Sequence, residues 1–254
     1  MKNFFALILF LSSFCFCFSQ NTKPKIDKAA LLEEQIQGRA ILRLEVARLS
    51  SKWRNYVYDK ASNGMSNTEA VNYFDNYLSE NNNNTSPELI NLRTNKKEID
   101  LLLNDFVYFG SEKSVFAANR MPLSIIQTDT GKVFFLSGLF TDNIYNTLKL
   151  TSRQRAAKVL SSGLIEKLGT MNQMITDKTI KYFAIGAVYG SKNFAESDGV
   201  MPVAEYVFII SPRSLIIKYT LGAITVDEFV NRSSIFLSDR DNFGANIKVK
   251  IVME

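Results

Sequence analysis

Asp129-Thr130-Gly131 is the tripeptide with which aspartic peptidases hold a catalytic carboxylate, so it is the first place to look for chemistry. Such catalysis needs two carboxylates sharing one proton, because like charges at that distance cannot both ionise. The chain has one copy of the tripeptide, and a second aspartate would have to come from a symmetric dimer. The flanks argue against that arrangement. A catalytic copy follows apolar residues that hold the loop inside the fold, whereas here Gln127-Thr128 precede and Lys132 follows. The residues instead fit a hairpin tip, in which aspartate accepts a local backbone hydrogen bond and glycine takes a positive φ.

Two further acidic clusters meet similar objections. Asp239, Asp241 and Gly244 stand at positions 1, 3 and 6 of a calcium-loop pattern. Position 5, however, is Phe243, and position 12, where a bidentate glutamate belongs, is Lys250. Glu196 and Asp198 are two residues apart on one polar stretch. Acid–base work on a glycosidic bond needs carboxylates about 5–10 Å apart across a cleft. No Ser-x-x-Lys pair occurs, and Gly131-Lys132 lacks the upstream glycine of a phosphate-binding loop.

Absences bound the chemistry more firmly. The chain has no histidine, and its two cysteines are Cys15 and Cys17. Both lie in an apolar run over 4–18 that follows Lys2 and gives way to Ser19-Gln20. That pattern predicts a secretory signal peptide over 1–19. Each cysteine follows a phenylalanine where a lipoprotein signal wants small residues, so lipid attachment is not expected. The run is shorter than the roughly 20 residues a spanning helix needs, and no transmembrane segment is expected in the mature chain. Cleavage after Ser19 leaves 235 of the 254 residues, none of them cysteine or histidine. Ser-His-Asp and Cys-His nucleophile systems are thereby excluded. So are His/Cys zinc sites and haem or iron–sulfur centres with such ligands. No metal and no cofactor is expected.

The full chain carries a formal charge of +5. Positive charge concentrates between residues 149 and 181. There Lys149, Arg153, Arg155, Lys158, Lys167, Lys178 and Lys181 face only Glu166 and Asp177. Lys149, Arg153, Arg155 and Lys158 are the candidate partner-binding residues, toward an anionic surface or an acidic envelope protein. No nucleic-acid-binding motif accompanies them.

The elements that must position these residues follow from periodicity. After a polar leader over 20–27, Leu42, Val46, Leu49, Trp53 and Val57 recur at steps of three and four. They predict a long amphipathic helix from Asp27 to about Asp59. Ser66 and Glu69 form a capping box for a helix to about Ser79 burying Val71, Phe74 and Leu78. A polar loop at "ENNNNTSP" precedes Ser86-Pro87, which starts a third helix carrying Leu89, Leu92, Ile99, Leu103 and Phe106 toward Gly110.

Beyond Gly110 the period shortens. "MPLSIIQTDTGKVFFLSGLF" reads as two strands around a turn, and the stretch from Thr141 returns to helix with Gly169 as its C-cap. "KTIKYFAIGAVYG" and "VAEYVFIIS" read as strands. "SPRSLIIKY" is ambiguous between helix and strand, Thr225 with Glu228 opens another helix, and "NIKVKIVM" alternates as a half-buried final strand.

The expected fold is α+β: N-terminal antiparallel helices, then a mostly antiparallel sheet with interleaved helices. The expected organisation is a signal peptide over 1–19, a helical region over 20–110 and an α+β region over 111–254 packed with it as one unit. The functional expectation is an exported, periplasmic or extracellular, non-enzymatic protein that binds or assembles with cell-envelope components. The alternative is a carboxylate-dependent hydrolase acting on extracytoplasmic glycans, and a third reading is a carrier with an apolar pocket.

Overall fold

A computed structural model describes residues 64–106, 116–117, 121–128, 131–196, 202–238 and 247–253. The leader, the helix expected over 27–59, Asp129 and Thr130, Asp198 and the calcium-like residues Asp239 to Gly244 lie outside them.

The fold is α+β, with helices on a mostly antiparallel sheet. In chain order the strands are β1 (Gly64–Met65), β2 (Phe116–Ala117), β3 (Leu123–Thr128), β4 (Gly131–Asn146), β5 (Ile180–Lys192), β6 (Val203–Pro212), β7 (Ser234–Ser238) and β8 (Ile247–Val249). They pair in the order β1-β2-β4-β5-β6-β7-β8, with β3 also on β4. Among the described strands only β4 and β5 run parallel. The helices are α1 (Asn67–Glu80), α2 (Pro87–Thr94), α3 (Lys96–Asp105), α4 (Ser152–Val159), α5 (Ile165–Met174), α6 (Arg213–Thr220) and α7 (Val226–Arg232).

Among the described residues all seven helices pack on one face of the sheet. Their buried side chains, among them Phe74, Leu92, Leu102, Leu160, Leu168, Ile216 and Phe229, join Leu123, Leu136, Ile185, Ile209 and Ile235 in one continuous core. Those five strand residues form a single rung across the sheet by register. Alternate positions point the other way. There Ile126, Val133, Phe135, Ala184, Val188, Tyr206, Phe208, Ile210 and Phe236 make a second buried cluster, drawn among the described residues from strands alone. Its centre is aromatic: Phe208 and Phe236 stack at 4.8 Å, and Phe135 lies 5.8 Å from Phe208. Gly186 makes room for it, because a Cβ there would stand 2.3 Å from the Tyr206 hydroxyl and 2.7 Å from Phe208 Cβ.

Local signals explain most boundaries. The Ser66 hydroxyl accepts from the Glu69 amide while the Glu69 carboxylate accepts from the Ser66 amide, closing the expected box at the start of α1. The loop between α1 and α2 is exposed, yet the Arg93 guanidinium donates to the carbonyls of Asn81, Asn82 and Asn84 and ties it down.

Several expectations need correction. The third helix is two, because Thr94 and Asn95 turn their side chains back onto the carbonyls of Ile90 and Asn91 and the chain breaks at Asn95. The strand β4 runs on through "TDNIYN" to Asn146 beside its long partner β5, so helix begins only at Ser152, behind a Thr151–Gln154 capping box. Gly169 does not end a helix. It lies inside α5, where its missing side chain lets Thr220 of α6 approach; a Cβ would be 3.2 Å from the Thr220 hydroxyl. Gly163 instead has the special backbone in this stretch, at φ +128° in the π-turn over Leu160–Leu164 that kinks α4 into α5. "SPRSLIIKY" resolves as helix α6, and β8 is shorter than expected while keeping its alternation, with Val249, Ile251 and Met253 toward the core.

Candidate functional site

An open cavity of about 640 Å³ lies at the end of the sheet where β5 begins and β6 finishes. Its apolar floor includes Tyr182, Ile210 and Pro212, with Val230, Val249 and Ile251 beside them. Asn231, Ser233 and Ser234 supply hydroxyl and amide groups, and the charged residues of the lining are Arg232, Lys248 and Lys250. Among the described residues no aspartate or glutamate belongs to the lining. Register explains the convergence: Ile210 opposes Ser234, Phe236 opposes Lys248, and Tyr182 opposes Pro212, so these positions share the second sheet face. Arg232 pairs with Glu228 one helical turn back at 2.9 Å, on the solvent side of α7. The result is a concave surface with three cations around an apolar base, a combination suited to an anionic head on an apolar body.

The candidate residues from the basic region separate. Lys149, Arg153 and Lys158 are exposed at the start of the α4 crossover, whereas Lys178 and Lys181 are exposed at the far end of β5. The 13 residues of β5 put roughly 40 Å between those ends, so proximity in sequence does not make one patch. Arg155 is not on the surface at all. It is 4 % exposed, and its guanidinium donates through Nε and Nη2 to the Glu205 carboxylate at 2.9 and 2.6 Å and through Nη1 to the Leu150 carbonyl at 2.6 Å. Glu205 has no exposed surface. This fork-to-fork pair fastens α4 to the inner face of β6, a structural use of charge that sequence spacing concealed.

A second polar knot sits at the helix end of the sheet. Arg213 donates to Asn172 Oδ1 at 2.9 Å and to the carbonyls of Asp177, Ile180 and Ile175, with its guanidinium 5.0 Å from the Phe183 ring. Burial pulls its pKa below the ordinary arginine value, partly offset by Asp177 and Glu98. Burial also pushes the Asp177 carboxyl up, but hydrogen bonds from Thr179 and Asn95 and the Lys132 ammonium at 3.5 Å outweigh it and hold the carboxyl below the usual aspartate range. These groups saturate one another and tie α3, α5, β4, β5 and α6 together.

At the Asp-Thr-Gly position β3 and β4 pair up to Thr128 opposite Gly131, with the Thr128 hydroxyl donating to the Gly131 carbonyl at 2.6 Å. That register is a tight hairpin. Gly131 has φ +139°, and a Cβ on it would stand 2.6 Å from Lys181 Cγ, so the glycine serves close packing of the turn against β5. Glu196 is exposed at the β5–β6 loop. Among the described residues no group of three or more acidic side chains is placed to hold a metal ion. Nor is any helix among them long and apolar enough to cross a membrane. No protein-family model, curated relative or solved structure matches the chain.

Proposed function

We infer that the protein is exported and acts by binding, taking the anionic head and apolar body of a cell-envelope amphiphile into the cavity beside β8. The observation that carries this reading is the lining: Arg232, Lys248 and Lys250 around Tyr182, Ile210 and Ile251. Cations beside an apolar floor attract an anion more strongly than the same charges on an open helix, because the wall is partly desolvated and counter-ions are excluded. Arg153 and Lys158 sit on such an open helix and Lys149 in the turn before it, and their part is to add attraction toward an anionic surface. The leader pattern over 1–19 supports a periplasmic or extracellular location. A carboxylate-dependent glycan hydrolase would want acidic side chains where this lining has basic ones.

Co-sedimentation with lipid vesicles tests the inference. The protein is expected to bind vesicles containing phosphatidylglycerol and not those of phosphatidylcholine, with binding weakened by added salt. Equal binding to both, or to neither, would rule the reading out.

A further inference from the structure

We propose that the amphipathic segment containing Leu42, Val46, Leu49, Trp53 and Val57 covers the second face of the sheet. That face is fully packed: Val133, Phe135, Ala184 and Phe208 have no exposed surface, and Ile126, Val188, Tyr206, Ile210 and Phe236 retain at most 6 %. Yet all seven helices of the described residues contribute their apolar side chains to the opposite face. The cluster on this face draws its described members from strands alone. A sheet face of five adjacent strands cannot bury phenylalanines against its own backbone; a further layer must lie on it.

The occupant follows from the lengths of chain outside the described residues. The internal stretches are at most nine residues each, too short for a helix to cross five strands; 107–115 brings Tyr108 and Phe109, and 239–246 brings Phe243. The 63 residues before Gly64 include the stripe at steps of three and four, with Arg43, Glu45, Arg48, Lys52 and Arg54 opposite it. A helix over 42–57 is about 24 Å long, and β3 to β7 span about 19 Å, so one such helix reaches across the patch. The chain returns at Gly64 in β1, on the side of the sheet that leads through β2 to β4, the strand that carries Phe135 and Val133.

Trp53 is the only tryptophan in the chain and reports on the contact directly. In the intact protein its emission is expected to be blue-shifted and shielded from acrylamide, while sedimentation shows a monomer. Solvent-exposed emission from a folded monomer would overturn the proposal. A second measurement uses Ala184→Cys with Cys15→Ser and Cys17→Ser, which leaves one thiol on the covered face. That thiol is expected to resist maleimide and to become reactive when Val46→Asp and Leu49→Asp are added. Unchanged protection in the acidic variant would overturn the proposal, and so would reactivity governed by dilution alone, which would assign the cover to a second copy.

Discussion

Replacing Arg155 with methionine would strand the Glu205 carboxylate, which has no exposed surface, without the guanidinium that pairs with it. In the intact protein the pair is held by two charge-assisted bonds at 2.9 and 2.6 Å, and the third guanidinium donor satisfies the Leu150 carbonyl. Removing one member of a buried pair costs about 3–5 kcal/mol, because the survivor must stay charged without a partner or change its protonation. In a chain of this size each kcal/mol moves the melting midpoint by about 2–4 °C, so the single variant should melt roughly 6–20 °C lower. Glu205→Leu should cost a similar amount. The double variant Arg155→Met with Glu205→Leu removes both charges and is expected to recover at least half of the single loss. Urea unfolding of the four proteins, followed by circular dichroism, gives the coupling from the double-mutant cycle. Arg153→Glu, two residues away and exposed, serves as the control and should stay within about 0.5 kcal/mol of the parent. Single-variant losses below about 1 kcal/mol, or losses that merely add in the double variant, would refute the argument that this pair anchors α4.

Gly186→Val should destabilise the protein by about 1–3 kcal/mol, since the new side chain must displace Tyr206 and Phe208 from the aromatic face; an unchanged melting curve would contradict that packing. Asp177→Asn tests the polar knot through pH. The carboxyl is held below its ordinary pKa in the folded chain, so its contribution is present above the unfolded aspartate value of about 3.9 and fades as pH falls through the lower folded value. The stability gap between parent and variant should therefore be widest near neutral pH and close below about pH 4. A gap that stays constant down to pH 2 would show that the charge of Asp177 is not what stabilises the knot.

Patterns that depend on near neighbours were legible in the sequence. The Ser66–Glu69 box, the Ser86-Pro87 start and the alternation around Lys248 and Lys250 all act within a few residues, and the structure retains them. The α+β class followed from the change of period near Gly110. What could not be read is set by partners far away in the chain. Arg155 looks like its exposed neighbours Arg153 and Lys158, and only Glu205, 50 positions later, withdraws it from the surface. Gly169 carries the mark of a helix end, but the approach of Thr220 from α6 gives it another use. The length of β4 was hidden because "TDNIYN" is polar by composition and is held extended by pairing with β5. The cavity was invisible for the same reason: α7, β5, β6 and β8 each bring one to three ordinary residues, and only the sheet order makes them neighbours.

The inferred function places ligand binding in the cavity and not on the α4 surface, and charge reversal separates the two. Vesicle affinity should be measured for the parent, for Lys248→Glu with Lys250→Glu, and for Lys149→Glu with Arg153→Glu and Lys158→Glu, each first shown to retain the parental melting curve. The account predicts that reversal at the cavity abolishes binding to phosphatidylglycerol vesicles, while reversal on α4 weakens it modestly and only at low salt. Full binding after reversal at Lys248 and Lys250 would contradict it.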